Sequence, residues 1–141
     1  MVNNKEEWER LDSSVQSITV NGCDDYLSEL LDLSRFGELV ELKIGCNCFN
    51  YVSVMSISRL PKLKSVEIGE KSFQNESVDS QLMVKNCPAL VSLKIGNQSF
   101  KGFKRFNLSE VNGLKSIMVG DECFKECDLV LKELKSVESV C

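Results

Sequence analysis

An eleven-residue pattern of apolar and polar positions recurs along most of the chain. In its clearest copy, LKSVEIGEKSF from Leu63, apolar residues occupy positions 1, 4, 6 and 11. Positions 4 and 6 alternate with polar residues, which is typical of a strand with one buried face. The copies begin at Val15, Leu39, Leu63, Leu90, Leu114 and, in truncated form, Leu134. Their starts lie 24, 24, 27, 24 and 20 residues apart, and such a period predicts a repeat solenoid.

Two further positions of the repeat carry the same residue in four copies. Position 7 is glycine, for which we expect a turn with φ > 0, at Gly45, Gly69, Gly96 and Gly120. Position 11 is phenylalanine, at Phe49, Phe73, Phe100 and Phe124. Stacked coils would place these rings one above another, so the pattern predicts a buried structural spine.

The second half of each repeat has its own apolar pattern. Before Leu63, for example, Met55, Ile57 and Leu60 are apolar, and Pro61 follows as a turn residue. This pattern predicts a second short strand in each coil, and therefore a mostly β fold with a parallel sheet and few helical turns. Residues 24–36 also fit a helix, because several leucines there have helical spacing, but the repeat alignment favours the strand.

Residues 1–14 lie outside the array that spans residues 15–141. Asn4 is placed to cap a short helix over residues 5–11, with Trp8 and Leu11 on one side. We interpret the segment as an N-terminal cap that covers the first coil, because the end of a solenoid otherwise exposes an apolar edge. The alternative is a frayed tail.

Composition excludes several classes of function. The 141-residue chain has a formal charge of −4 and no histidine. It therefore lacks a basic footprint for nucleic acid and the usual catalytic base, and we expect neither nucleic-acid binding, an enzyme nor a cofactor. No apolar run has the roughly 18 residues of a transmembrane segment. The polar N-terminus predicts a cytoplasmic protein, or a secreted or cell-surface protein if a signal sequence has been removed.

Seven cysteines at irregular spacing do not form a disulfide framework. Cys46 and Cys48 are three coils away from Cys123 and Cys127, which is on the order of 14 Å and too far to share one zinc ion. We interpret the cysteines as small buried residues and expect no metal site. Cys23 and Cys48, in adjacent coils, are the pair to consider for a disulfide, and none is expected in a reducing compartment.

These residues resemble the leucine-rich repeat family. The signature LxxLxLxxNxL matches LVELKIGCNCF, with Leu39, Leu42, Ile44, Asn47 and Phe49 at its five positions. The other copies depart at the asparagine position, which holds Cys23, Lys71, Gln98 and Glu122. The IGxxSF core is similar to the BspA-like subgroup of microbial and protist surface proteins. The resemblance implies a right-handed coil that binds a protein partner on the outward face of its sheet or on its convex loops.

Outward positions 2 and 5 of the repeat provide the candidates for partner binding. They are Val40, Lys43, Lys64, Glu67, Val91, Lys94, Lys115 and Met118. The valines and the methionine would supply apolar contact, and the lysines a mild preference for acidic partners. Lys43, Glu67 and Lys94 lie on neighbouring strands, so we expect cross-strand ion pairs among them. Position 3 is nearly a column of serines, Ser17, Glu41, Ser65, Ser92, Ser116 and Ser136.

Two hypotheses for function follow. The first is a non-catalytic protein-binding module that is part of a longer array. The second is a structural or adhesive segment of a BspA-like cell-surface protein, for which the sequons at Asn75, Asn97 and Asn107 would be glycan sites. An uncapped C-terminal edge would also expose unpaired strand backbone, which favours a fragment of a longer array, with self-association through that edge as the alternative.

Overall fold

A computed structural model of the chain describes residues 1–125, 127–132 and 139–140. Within them lie one short helix, α1 (Lys5–Glu9), and eleven strands. The strands formed by the eleven-residue pattern are β1 (Ser17–Val20), β3 (Glu41–Ile44), β5 (Ser65–Ile68), β7 (Ser92–Ile95), β9 (Ser116–Val119) and β11 (Ser139–Val140). The strands in the second half of each coil are β2 (Leu30–Asp32), β4 (Val54–Ser58), β6 (Gln81–Lys85), β8 (Arg105–Ser109) and β10 (Asp128–Lys132).

The chain is a parallel β-solenoid, as the repeat predicts. The first sheet has the order β1-β3-β5-β7-β9-β11, and the second has the order β2-β4-β6-β8-β10. All strand pairs are parallel, and each strand pairs with its equivalent in the next coil, as in Leu42 with Val66 and Leu93 with Ile117. The second strand per coil is confirmed, and residues 24–36 contain β2 rather than a helix.

One continuous hydrophobic core fills the space between the two sheets. Leu42 and Ile44 of the first sheet face Met55 and Ile57 of the second, and all four side chains are buried. The alternation of buried and exposed residues along β3, β5 and β7 follows from the period of two in the sequence. The first sheet therefore has an outward face of its own.

The four phenylalanines at position 11 stack in a column. Ring centroids lie 5.6 Å apart for Phe49 and Phe73, 4.6 Å for Phe73 and Phe100, and 5.3 Å for Phe100 and Phe124. Each of these residues has a left-handed backbone, with φ between 50° and 57°. Such a conformation is rare for a bulky residue and costs about 1–3 kcal/mol, which the burial of the ring offsets.

The expectation that the position-7 glycines turn the chain with φ > 0 is wrong. Among the described residues, no glycine has a positive φ. The glycines are required by crowding instead, because a Cβ at Gly69 would lie 2.7 Å from the Gly45 carbonyl carbon. Left-handed residues at position 9 turn the chain, and they are Asn47, Lys71, Gln98 and Glu122.

A ladder of small polar side chains joins successive coils beside the phenylalanine column. The Ser72 hydroxyl accepts a hydrogen bond from Cys48 N–H at 3.0 Å and donates one to the Gly45 carbonyl at 2.8 Å. Ser99 repeats both bonds one coil later, and Cys123 donates to Gly96 at 3.1 Å. These bonds satisfy backbone groups that the coil corner leaves unpaired, so they fix the register of the coils.

Cys23 belongs to this ladder column and not to the asparagine position assigned to it by the sequence. The Cys23 carbonyl accepts a hydrogen bond from Phe49 N–H, as the Cys48 carbonyl does from Phe73. A second ladder lies two residues further along, where Asn50 N–H donates to Asp24 and Gln74 N–H donates to Asn50, each at 3.1 Å. The polar ladders therefore occupy different positions from the family signature.

The N-terminal segment packs on the first coil. The Asn4 side chain caps α1 by accepting from Glu7 N–H at 2.9 Å, and the helix ends at Glu9, two residues short of the predicted span. Val2 forms a parallel bridge with Val20 of β1. Trp8 is buried with its ring centroid 5.4 Å from that of Phe49.

At the C-terminal end the observed register differs from the predicted one. The sequence alignment places Ser136 opposite Ser116, whereas the structure pairs Ser139 with Ser116, three residues later. Leu134 and Ser136 lie outside the described residues. Self-association through this edge stays a prediction.

Candidate functional site

The outward side chains of the first sheet form the candidate site, called here the first-sheet face. It consists of repeat positions 2, 3 and 5 in the coils of β1, β3, β5, β7 and β9. Seven of the eight predicted binding residues are exposed, and Val40 is half-buried. Val91 and Met118 are 41% and 44% exposed, which is unusual for apolar residues in this chain. The structure therefore places all eight residues on one surface.

Parallel pairing aligns these residues in two rows that run across the strands. Lys43, Glu67, Lys94 and Met118 are direct neighbours in the position-5 row. The position-2 row is Val40, Lys64, Val91 and Lys115, and the N–H of each of the last three donates to the carbonyl of the preceding member at 2.8–2.9 Å. The serine column at position 3 lies between the rows and keeps the middle of the face shallow.

The size of the face limits what it can bind. Five strands at about 4.8 Å spacing span about 19 Å, and five residues along a strand span about 16 Å. The resulting area of roughly 300 Å² is well below the roughly 800 Å² per partner of a standard interface. The face matches a peptide-sized contact, or a contact that continues over neighbouring surfaces.

The prediction of cross-strand ion pairs on the first-sheet face is wrong. Lys43 pairs with Glu41 of its own strand, with 3.2 Å between Nζ and Oε1. Within the described part of the chain, no ion pair within 4 Å joins Glu67 to Lys43 or to Lys94, although the three residues are in register. Lys64, Lys94 and Lys115 have no ion pair among the described residues, so their charges are directed to solvent.

A shallow groove of about 380 Å³ borders the first-sheet face at the C-terminal ends of the strands. Its floor is formed by Gly69, Gly96 and Gly120, and one wall by Glu67, Lys94 and Met118 of the face. Floor N–H groups are already bonded, as in Gly69 to the Ile44 carbonyl at 2.7 Å. A ligand in the groove would therefore contact side chains rather than add a strand.

A second groove, of about 490 Å³, lies at the ends of the second-sheet strands and was not predicted from the sequence. It is lined by Asp32, Ser34, Ser58, Arg59, Lys85, Asn86 and Glu110. Arg59, Asn86 and Glu110 have left-handed backbones and turn the chain at this corner. The sequence signal is a polar residue directly after β4, β6 and β8, which also fits an ordinary solvated turn.

Most of the described cysteines are buried or half-buried in the coils. Cys23, Cys48 and Cys87 are buried, and Cys46 is exposed. Burial, followed by the charge of Asp25 and proximity to Cys48, raises the pKa of Cys23 to about 12. Burial also raises the pKa of Cys48, Cys87 and Cys123. These thiols stay protonated near neutral pH and are poor nucleophiles. Cys23, Cys46, Cys48, Cys87 and Cys123 form no disulfide, and no cluster of metal-ligating side chains is found among the described residues.

The three sequons have different surroundings. Asn75 begins an exposed loop in the lengthened repeat, where Val78 is 86% exposed. The Asn97 side chain accepts a hydrogen bond from Asp121 N–H at 2.8 Å. Asn107 lies within β8, and its Oδ1 is buried without a partner among the described residues. Of the three, Asn97 is the most exposed, whereas Asn75 is half-buried and its Nδ2 donates to the Tyr51 carbonyl of the previous coil at 3.1 Å.

Comparison of the chain with protein-family models, with curated proteins and with solved structures finds no match. The resemblance to leucine-rich repeats therefore rests on the repeat residues themselves. Among the described residues, no helix has the length and apolar character needed to cross a bilayer.

Proposed function

We propose that this chain is a non-catalytic protein-binding module that uses the first-sheet face to hold a segment of a partner protein. The observation that carries this proposal is that two exposed apolar residues, Val91 and Met118, share one regular surface with Lys64, Lys94 and Lys115, which have no ion pair among the described residues. The rest of the repeat is accounted for by the core, the phenylalanine column and the polar ladders. The exposed residues of the face are not needed for the core.

The rigidity of the surface supports the same function. Both rows are held by a continuous set of interstrand hydrogen bonds, so the backbone atoms that carry their side chains have fixed spacing. A partner segment that binds such a surface loses only its own conformational freedom, which favours affinity. The small area predicts a modest affinity and a dependence on a few contacts.

The test is selection of peptides from a random display library with the immobilised chain, followed by affinity measurements on variants. The variant V91S/M118S removes the apolar contacts of the face without changing its charge. The control L30S/V78S removes two exposed apolar residues elsewhere, at 48% and 86% exposure. We expect the first variant to weaken selected peptides at least tenfold, about 1.4 kcal/mol, and the control to bind as the parent does.

Equal weakening in both variants, or selection of no peptide that depends on the face, would overturn the proposal. The second result would favour the alternative function, a structural or adhesive segment similar to BspA-like surface proteins. The observation that favours this alternative is the exposed sequon at Asn97, because an exposed asparagine in a secreted chain can carry a glycan.

A further inference from the structure

The lysines of the first-sheet face alternate between its two rows. Lys43 and Lys94 lie in the position-5 row, and Lys64 and Lys115 lie in the position-2 row. Each of the four coils from β3 to β9 thus contributes one lysine, and lysines in the same row are two coils apart. Val91 lies between Lys64 and Lys115 in the position-2 row.

The charge of this surface is opposite to that of the whole chain. The face carries four lysines against Glu41 and Glu67, whereas the chain has a formal charge of −4. Acidic residues are concentrated in the N-terminal part of the chain, since residues 1–37 contain eight acidic and three basic side chains. The four lysines less Glu41 and Glu67 leave the face a net charge of +2, which would attract an acidic partner and repel a basic one.

The spacing of the position-2 row limits the conformation of such a partner. Two coils correspond to about 9.6 Å between Lys64 and Lys115. In a polyproline II segment, side chains on one side recur every three residues, or about 9.3 Å. In a β-strand they recur every two residues, or about 6.6 Å, which does not match. A polyproline II segment can therefore place carboxylates at both lysines and its backbone over Val91.

We propose that the first-sheet face binds an acidic, extended protein segment with carboxylates three residues apart. The carboxylates contact Lys64 and Lys115, and Lys94 lies beside the same path in the other row. This inference rests on the proposed function and adds the chemical class of the partner.

The test measures fluorescence anisotropy with three labelled, proline-containing peptides of equal length. The first has two glutamates three residues apart, the second has the same glutamates adjacent, and the third has glutamines in place of both. We expect the first peptide to bind about fivefold to tenfold more tightly than the glutamine peptide, and threefold more tightly than the adjacent arrangement. Binding of the first peptide should weaken as salt is raised.

The variant K64Q/K115Q should reduce the affinity for the first peptide about fivefold to tenfold. The matched control K85Q/R105Q removes two exposed positive charges from the second sheet and should bind as the parent does. Equal affinity for the glutamine peptide, equal affinity for the adjacent glutamates, or an equal effect of the two variants would each overturn the inference.

The two proposals fail in distinguishable ways. If V91S/M118S abolishes the binding of library-selected peptides while K64Q/K115Q has no effect, the proposal of an acidic partner segment is wrong and the protein-binding function stands. If neither variant affects any selected peptide, both proposals are wrong. Circular dichroism of each variant, matched to the parent spectrum, excludes unfolding as the cause of lost binding.

Discussion

At the scale of single residues, the close approach of neighbouring coils determines which positions must be glycine. The Cβ of any other residue at Gly69 would approach backbone atoms of the previous coil, at 2.7 Å from Gly45 C and 2.9 Å from Cys46 N. Backbone atoms cannot move aside as a flexible side chain can. The recurrence of glycine was visible in the sequence, but its reason was not, because the crowding atoms are 24 residues away.

Replacement of Gly69 by alanine should therefore destabilise the protein, whereas replacement of Gly37 should not. Overpacking a fixed site costs about 1–3 kcal/mol, and this is the expected loss for Gly69→Ala. Nothing lies within 4 Å of a Cβ at Gly37, so Gly37→Ala should leave stability unchanged or raise it by about 0.4–1 kcal/mol. Urea unfolding of both variants checks the difference. Equal midpoints would contradict the crowding argument.

At the scale of elements, α1 is attached to the array by contacts from a distant loop. Arg35 donates from Nη1 to the Leu11 carbonyl at 2.9 Å and from Nη2 to the Trp8 carbonyl at 3.2 Å. Its guanidinium also lies 4.1 Å from the centroid of the Phe36 ring. The helix itself has five residues and would not be stable alone. Its position is set by these contacts and by the burial of Trp8.

Replacement of Arg35 by alanine should loosen the N-terminal segment before the rest of the array. Loss of two hydrogen bonds from a charged, exposed donor is expected to cost this segment about 1–2 kcal/mol. Trp8 is the only tryptophan, so its fluorescence reports on the segment, and circular dichroism reports on the sheets. We expect the fluorescence midpoint in urea to fall further than the dichroism midpoint, because coils interact mainly with their neighbours.

Arg105→Ala is the control for this prediction, because Arg105 is an exposed cation on the second sheet, away from α1. It should leave the Trp8 midpoint unchanged. A shift of the two midpoints by the same amount in the Arg35 variant would show that the segment unfolds together with the array.

At the scale of the whole molecule, burial of thiols ties stability to pH. The pKa of Cys23 is raised from 9.0 to about 12, chiefly by burial. Between these values the unfolded chain ionises this thiol and the folded chain does not. The unfolded state is therefore favoured as pH rises from about 9 to about 12, and the stability is fully present below about 9.

We accordingly expect the urea midpoint to fall between about pH 8 and about pH 10.5 in the presence of reductant. The variant Cys23→Ser places a hydroxyl in a column that already contains Ser72 and Ser99, and it should reduce this fall. Cys46→Ser removes an exposed thiol and should leave the fall as in the parent. The same pH dependence in all three proteins would exclude Cys23 as a source.

The sequence by itself determined the repeat, the two strands of each coil and the set of residues on the first-sheet face. Period-two alternation and a 24-residue interval are local in the chain, and they are sufficient to assign the strand side chains of the first sheet to the core or to solvent. The same regularity predicted that Lys43, Glu67 and Lys94 would be neighbours, and they are.

Only the tertiary structure decided which contacts those neighbours make. Glu41 rather than Glu67 pairs with Lys43, because side-chain conformations are not set by register. Left-handed phenylalanines, glycines without positive φ and the placement of Cys23 in the serine ladder all depend on atoms of adjacent coils. Such contacts are distant along the chain and a few ångströms apart in space, so they arise only once the coils are stacked.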